Sequence, residues 1–155
     1  LKDVPITSLP NNLKVKGSLD ISGTAITTLP DKLTLGGSLY ATNAAITVLP
    51  KNLTVHEDLY LDETPITALP EGLKVGRNLC VTGTSISALP KKFNVGGSLI
   101  LNNPPITILP NGLTVDGDLD LEETLITVLP KNLKVRGNLN ISNTAITSLP
   151  KSLVV

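Results

Sequence analysis

Large aliphatic residues return at fixed places every 20 residues along this chain. Aligned at that spacing, six columns stay apolar. One is isoleucine throughout, from Ile6 to Ile146, and a second is leucine from Leu9 to Leu149. A third runs from Leu13 to Leu153 with Phe93 as its one aromatic member, and a fourth from Val15 to Val155 with Leu35. The fifth is Leu19 to Leu139; the sixth is Leu1, Ile21, Ala41, Leu61, Val81, Leu101, Leu121 and Ile141. A column that never turns polar points inward, and each large aliphatic side chain withdrawn from water contributes roughly 1.5–3 kcal/mol.

Within one turn, Ser18 to Ser22 alternates polar and apolar residues, as does Lys32 to Leu35, which predicts strands with one buried face. No segment has helical spacing, and a proline at every twentieth position from Pro10 to Pro150 would break a helix there. The glycine-rich step at 16–17, 36–37, 76 and 96–97 reads as a corner where positive φ is cheap. A repeat of this length is the mark of a solenoid in which each turn covers the apolar face of the next. The expectation is one mainly β domain over residues 1–155, a solenoid of about eight 20-residue turns.

The stretches LDISGTAITTLP (19–30) and LYLDETPITALP (59–70) resemble the leucine-rich repeat pattern L-x-L-x-x-N-x-L-x-x-L-P, in the short bacterial form found in secreted effector proteins. The resemblance covers essentially the whole chain. It implies a right-handed solenoid, a protein-binding surface on the outward side of the stacked strands, and a secreted or host-directed bacterial protein. Two departures stand out. The asparagine of the pattern is replaced by Thr24, Thr64, Thr84, Thr124 and Thr144, with Ala44 and Pro104 in the same column. A leucine expected three residues before Leu19 is replaced by Lys16, Gly36, His56, Gly76, Gly96, Asp116 and Arg136. A flatter, three-sided β-solenoid is therefore the alternative cross-section.

The outward column between Leu19 and Ile21 reads Asp20, Tyr40, Tyr60, Cys80, Ile100, Asp120, Asn140. Four consecutive members are large or apolar where water is expected, and tyrosine is a favoured interface anchor. With Asp62 and Glu122 nearby, these residues form the candidate binding set. The plain alternative is that tyrosine and isoleucine are good strand residues stacked on their neighbours. Net charge is zero, with 13 basic and 13 acidic residues, which leaves no overall footprint for nucleic acid or an anionic membrane. The charges are segregated around the turn. Acids cluster on the strand (Asp20, Glu57, Asp58, Asp62, Glu63, Asp118, Asp120, Glu122, Glu123), and bases cluster after the Leu-Pro step, among them Lys32, Lys51, Lys91, Lys92 and Lys131. The expected arrangement is one acidic face opposite a basic one, suited to a protein partner with a basic patch; a merely solvated surface is the competing reading.

Chemistry is sparse. His56 is the only histidine and Cys80 the only cysteine, in different columns, with no motif that sets a nucleophile beside a base. The acid pairs Asp62-Glu63 and Glu122-Glu123 lie three turns apart, roughly 14 Å at strand spacing and too far for a glycosidase pair. No enzymatic activity, metal or cofactor is expected. The threonine column from Thr7 to Thr147 is similar to the arrays of ice-binding solenoids, but its neighbours Ser8, Thr28, Val48 and Ala68 are too mixed for a flat two-threonine face. A structural filament or spacer is the rival to the binding module: Leu1 already stands in the sixth column and Val155 in the fourth, so either caps lie outside these residues or the ends self-associate.

Overall fold

The computed structural model describes residues 1–91 and 93–155. Each turn contains two strands of two residues: one at Lys14–Val15 and its successors to Lys134–Val135, the other at Leu19–Asp20 and its successors to Leu139–Asn140. All pairing is parallel and in register with the residue 20 positions on, as in Leu19↔Leu39 and Tyr40↔Tyr60. No helix occurs among the described residues. The chain is a parallel β-solenoid. Its second strands make one continuous seven-stranded sheet from Leu19 to Leu139, six complete turns, with partial turns beyond in place of the eight expected.

A third segment of each turn, 24–29 and its equivalents, stacks without forming strands. Single parallel bridges tie Thr28 to Val48 and Ala88 to Ile108 there. Ile26 and Leu29 point inward while Thr27 and Thr28 both stay exposed, so the strict alternation of a strand is broken on this side.

The interior apolar columns form one core. Ile26, Ile46, Ile66, Ile86, Ile106 and Ile126 are sealed from solvent, as are Ile21, Leu61, Val81, Leu101 and Leu121 in the sixth column. In the end turns Ile6, Leu9, Leu13, Val15, Leu139, Ile141, Ile146 and Leu153 pack against this core but are only partly buried.

The positive φ expected at the 16–17 corner lies elsewhere. It recurs in the column that follows the second strand: Asp3, Gly23, Asn43, Glu63, Gly83, Asn103, Glu123 and Asn143 all lie between 55° and 68°. From Gly23 onward that left-handed residue lies three positions beyond the end of the second strand. The corner glycines serve close approach instead, since a Cβ at Gly36 or Gly76 would run into the backbone carbonyl of Lys16 or His56 one turn back.

The first-strand ladder is broken once, between Leu35 and Val55, into blocks of two and five strands. In the intact blocks the corner amide bonds to the carbonyl one turn back, as in Gly36 N–H to Val15 O (2.9 Å) and Gly76 N–H to Val55 O (2.9 Å). At the break the His56 ring takes that role, with Nδ1 2.7 Å from Leu35 O. A carbonyl only accepts, so Nδ1 carries the proton.

Candidate binding surface on the seven-stranded sheet

Parallel in-register pairing places Asp20, Tyr40, Tyr60, Cys80, Ile100, Asp120 and Asn140 in a single row down the seven-stranded sheet. Their inward neighbours Leu39, Leu59, Leu79, Leu99 and Leu119 are sealed in the core, so the period-2 alternation obliges the row to face outward. Tyr40 and Tyr60 stack nearly parallel, with ring centroids 5.3 Å apart and planes inclined by 8°. Such an offset pair is worth ~1 kcal/mol beyond the area it buries. Tyr40 is the most open large member of the row, 37 % exposed, while Tyr60, Cys80 and Ile100 are half-buried. Burial, followed by the charge of Asp58, raises the Tyr60 phenol above its ordinary range, so it remains a hydroxyl.

Asp62 and Glu122 belong to the next outward column. Asp62 Oδ1 accepts the Cys80 thiol (2.7 Å) and the Thr82 amide (3.0 Å) from the following turn. Cys80 also lies 3.5 Å from the Thr82 hydroxyl. Burial first, then the Asp62 carboxylate, pushes the Cys80 thiol up to about 11. It is a neutral donor and no nucleophile at neutral pH.

The acidic and amide members of the row turn back on their own backbone. Asp20 Oδ1 takes the Ser22 amide (3.0 Å), Asp120 Oδ1 the Glu122 amide (3.1 Å) and Asn140 Oδ1 the Ser142 amide (3.0 Å). The bond from Ser22 holds the Asp20 carboxyl below the usual carboxylate range. Asp120 is further engaged by Asn140 Nδ2 on Oδ1 (2.9 Å) and by Asn102 Nδ2 on Oδ2 (3.3 Å). Asn102 Oδ1 is the buried side-chain oxygen left without a partner among the described residues.

A further column with a bonding role, absent from the candidate set above, lies immediately before the second strand. Ser18, Ser38, Asp58, Asn78, Ser98 and Asp118 each accept the backbone amide of the same column one turn later, at 2.7 to 3.2 Å. Six rungs follow without interruption. Every member of this column is Ser, Asp or Asn, a regularity visible in the sequence once the column is isolated. Asp58 and Asp118, grouped above with the acids of the strand, therefore hold neighbouring turns together.

The threonines that stand where the leucine-rich pattern has asparagine bond within their own turn. Thr24, Thr64, Thr84 and Thr124 are buried, and each hydroxyl donates within its own turn to the carbonyl three residues back, at 2.6 to 2.8 Å. Ala44 and Pro104 occupy the same buried position without that bond.

The basic residues lie on the neighbouring sheet and at the turn after the proline, where Lys14, Lys32, Lys51, Lys74, Lys91, Lys131 and Lys134 are exposed; Lys92 lies outside the described residues. Acidic and basic sides therefore follow one another around the corner rather than being separated by the core. At that corner, between successive turns, Arg77 pairs with Glu57 (3.9 Å) and Arg136 with Asp116 (3.3 Å), exposed contacts worth at most ~1 kcal/mol each. No group of three or more His, Cys, Asp or Glu among the described residues is placed to hold a metal ion. Among the described residues there is no helix long and apolar enough to cross a membrane.

No family model, no curated protein and no solved structure matches this chain.

Proposed function

We propose that the chain is a leucine-rich-repeat-like protein-binding module whose contact surface is the outward row of the seven-stranded sheet, from Asp20 to Asn140. The observation that supports this most is the run of Tyr40, Tyr60, Cys80 and Ile100 on consecutive rungs, an aromatic and apolar strip bordered by Asp20, Asp62, Asp120 and Glu122. Interface energy concentrates in a few such anchors, and the acidic border suits a partner with a basic patch. The resemblance to short bacterial repeats makes a secreted or host-directed role part of this reading.

The test is capture by the immobilised chain of a protein that Tyr40→Ser/Tyr60→Ser/Ile100→Ser no longer retains. A control variant changes the exposed Val48, Ile108 and Val128 of the third side to serine. Retention lost only with the sheet-row variant, both variants keeping the parent's circular dichroism, supports the proposal. Loss only with the third-side variant overturns it.

A further inference from the structure

We infer that the open face of Tyr40 receives an arginine side chain of the partner, its guanidinium lying on the ring and paired with the Asp20 carboxylate. The inference rests on the binding reading above and names the chemistry at one end of the row.

Tyr40 has two ring faces and only one is covered. Tyr60 stacks on the side of the following turn. On the side of the preceding turn its register partner is Asp20, too short to cover a ring. An open cleft results, lined by Lys2, Asp3, Asp20, Ser22, Tyr40 and Thr42, together with the bare backbone of Gly23. Rungs repeat at roughly 4.8 Å, so a flat group lying above Asp20 would continue the ring stack by one member.

The charges select which flat group. Asp20 gives one carboxylate oxygen to the Ser22 amide, which fixes its orientation; the Ser22 hydroxyl also bears on this carboxyl, and among the described residues no side chain from another turn bonds it. Asp3 brings a second carboxylate over the Gly23 α-carbon, a position that any Cβ at residue 23 would obstruct. Lys2 is the one basic side chain lining the cleft, and the amino-terminal charge also bears on Asp20. A guanidinium is flat enough to stack, positively charged, and forked to match a carboxylate; an ammonium lacks the plane, and a neutral urea group lacks the charge. The row offers no second place of this kind. Asp120, the other acid on it, has both oxygens engaged by Glu122, Asn140 and Asn102 and has Ile100 instead of an aromatic ring beside it.

Three capped tripeptides, Gly-Arg-Gly, Gly-Lys-Gly and Gly-citrulline-Gly, would be titrated at low ionic strength into the isotopically labelled 155-residue chain. The arginine peptide should move the backbone amide signals of Ser22, Gly23 and Thr42 and change the tyrosine emission, which comes only from Tyr40 and Tyr60. The lysine and citrulline peptides should bind at least about fivefold more weakly, the ratio expected from one cation–π contact of ~1 kcal/mol. Tyr40→Ile and Asp20→Asn should each abolish the response. Isoleucine and asparagine already stand in this column at Ile100 and Asn140, so both variants suit the strand. Equal binding of arginine and lysine peptides, shifts that survive Tyr40→Ile, or no response in the millimolar range would overturn the inference. A partner released by the triple serine variant but indifferent to Asp20→Asn would also overturn it, while leaving the binding surface itself intact.

Discussion

Cys80 has a side chain whose neighbours decide its chemistry. An ordinary thiol ionises near 8.5, whereas burial and the Asp62 carboxylate push this one up to about 11. The folded chain thus holds the proton more tightly than the unfolded chain. The stability this contributes is complete below the unfolded value and is lost as pH rises through the folded value. Iodoacetamide should label the folded chain more slowly than the denatured chain, with a rate still climbing above pH ~9. A rate that levels off by then would contradict the assigned environment. Glu63 and Glu123 carry a different local cost, since their φ of 55° and 58° falls in the left-handed region that Gly and Asn occupy elsewhere in the column. An L-residue there loses roughly 1–2 kcal/mol relative to its preferred conformations.

At the level of the elements, strands of two residues make few backbone bonds of their own, so side-chain bonds between turns carry much of the registration. The Ser18-to-Asp118 column supplies six. Replacing Asp58 by alanine should leave the Asn78 amide without its acceptor and cost ~1–3 kcal/mol, read as a lower midpoint of denaturant unfolding. Asp58→Ser should restore most of it, because serine does the same work at Ser18, Ser38 and Ser98. Equal midpoints for the alanine and serine variants would reject the ladder as a source of stability. The strands at 19–20 and 34–35 are legible from alternation alone. The break at His56 is not, because it depends on a ring reaching the Leu35 carbonyl of the preceding turn.

For the whole molecule, a stack in which each turn rests on its neighbours makes a central core position matter beyond its own turn. Ile66 is sealed and Thr67, its neighbour, is exposed. Ile66→Asp should bury an unpaired carboxylate and unfold at least the central turns, while Thr67→Asp should shift the melting temperature little. Comparable melting of the two variants would reject the inward assignment of the isoleucine column. The partly open end turns also bear on the rival filament reading. Concentration-dependent end-to-end polymers of the 155-residue chain that persist in a longer natural form would favour it over the binding module.

Period and polarity determined the architecture. Six apolar columns at a spacing of 20 residues have only one economical burial, a stack of like turns, and alternation around Leu19 told which residues of the strand face out. That much is local and repetitive, so one dimension contains it. The tertiary structure decided what depends on contact between turns: that positive φ recurs throughout the Gly23 column and again at Asn52, Gly72, Gly112 and Asn132, that Ser, Asp and Asn before the strand carry the cross-turn ladder, and that Tyr40 keeps one face open above Asp20. These are properties of residues about 20 positions apart brought side by side, and their distances exist only once the chain has wound.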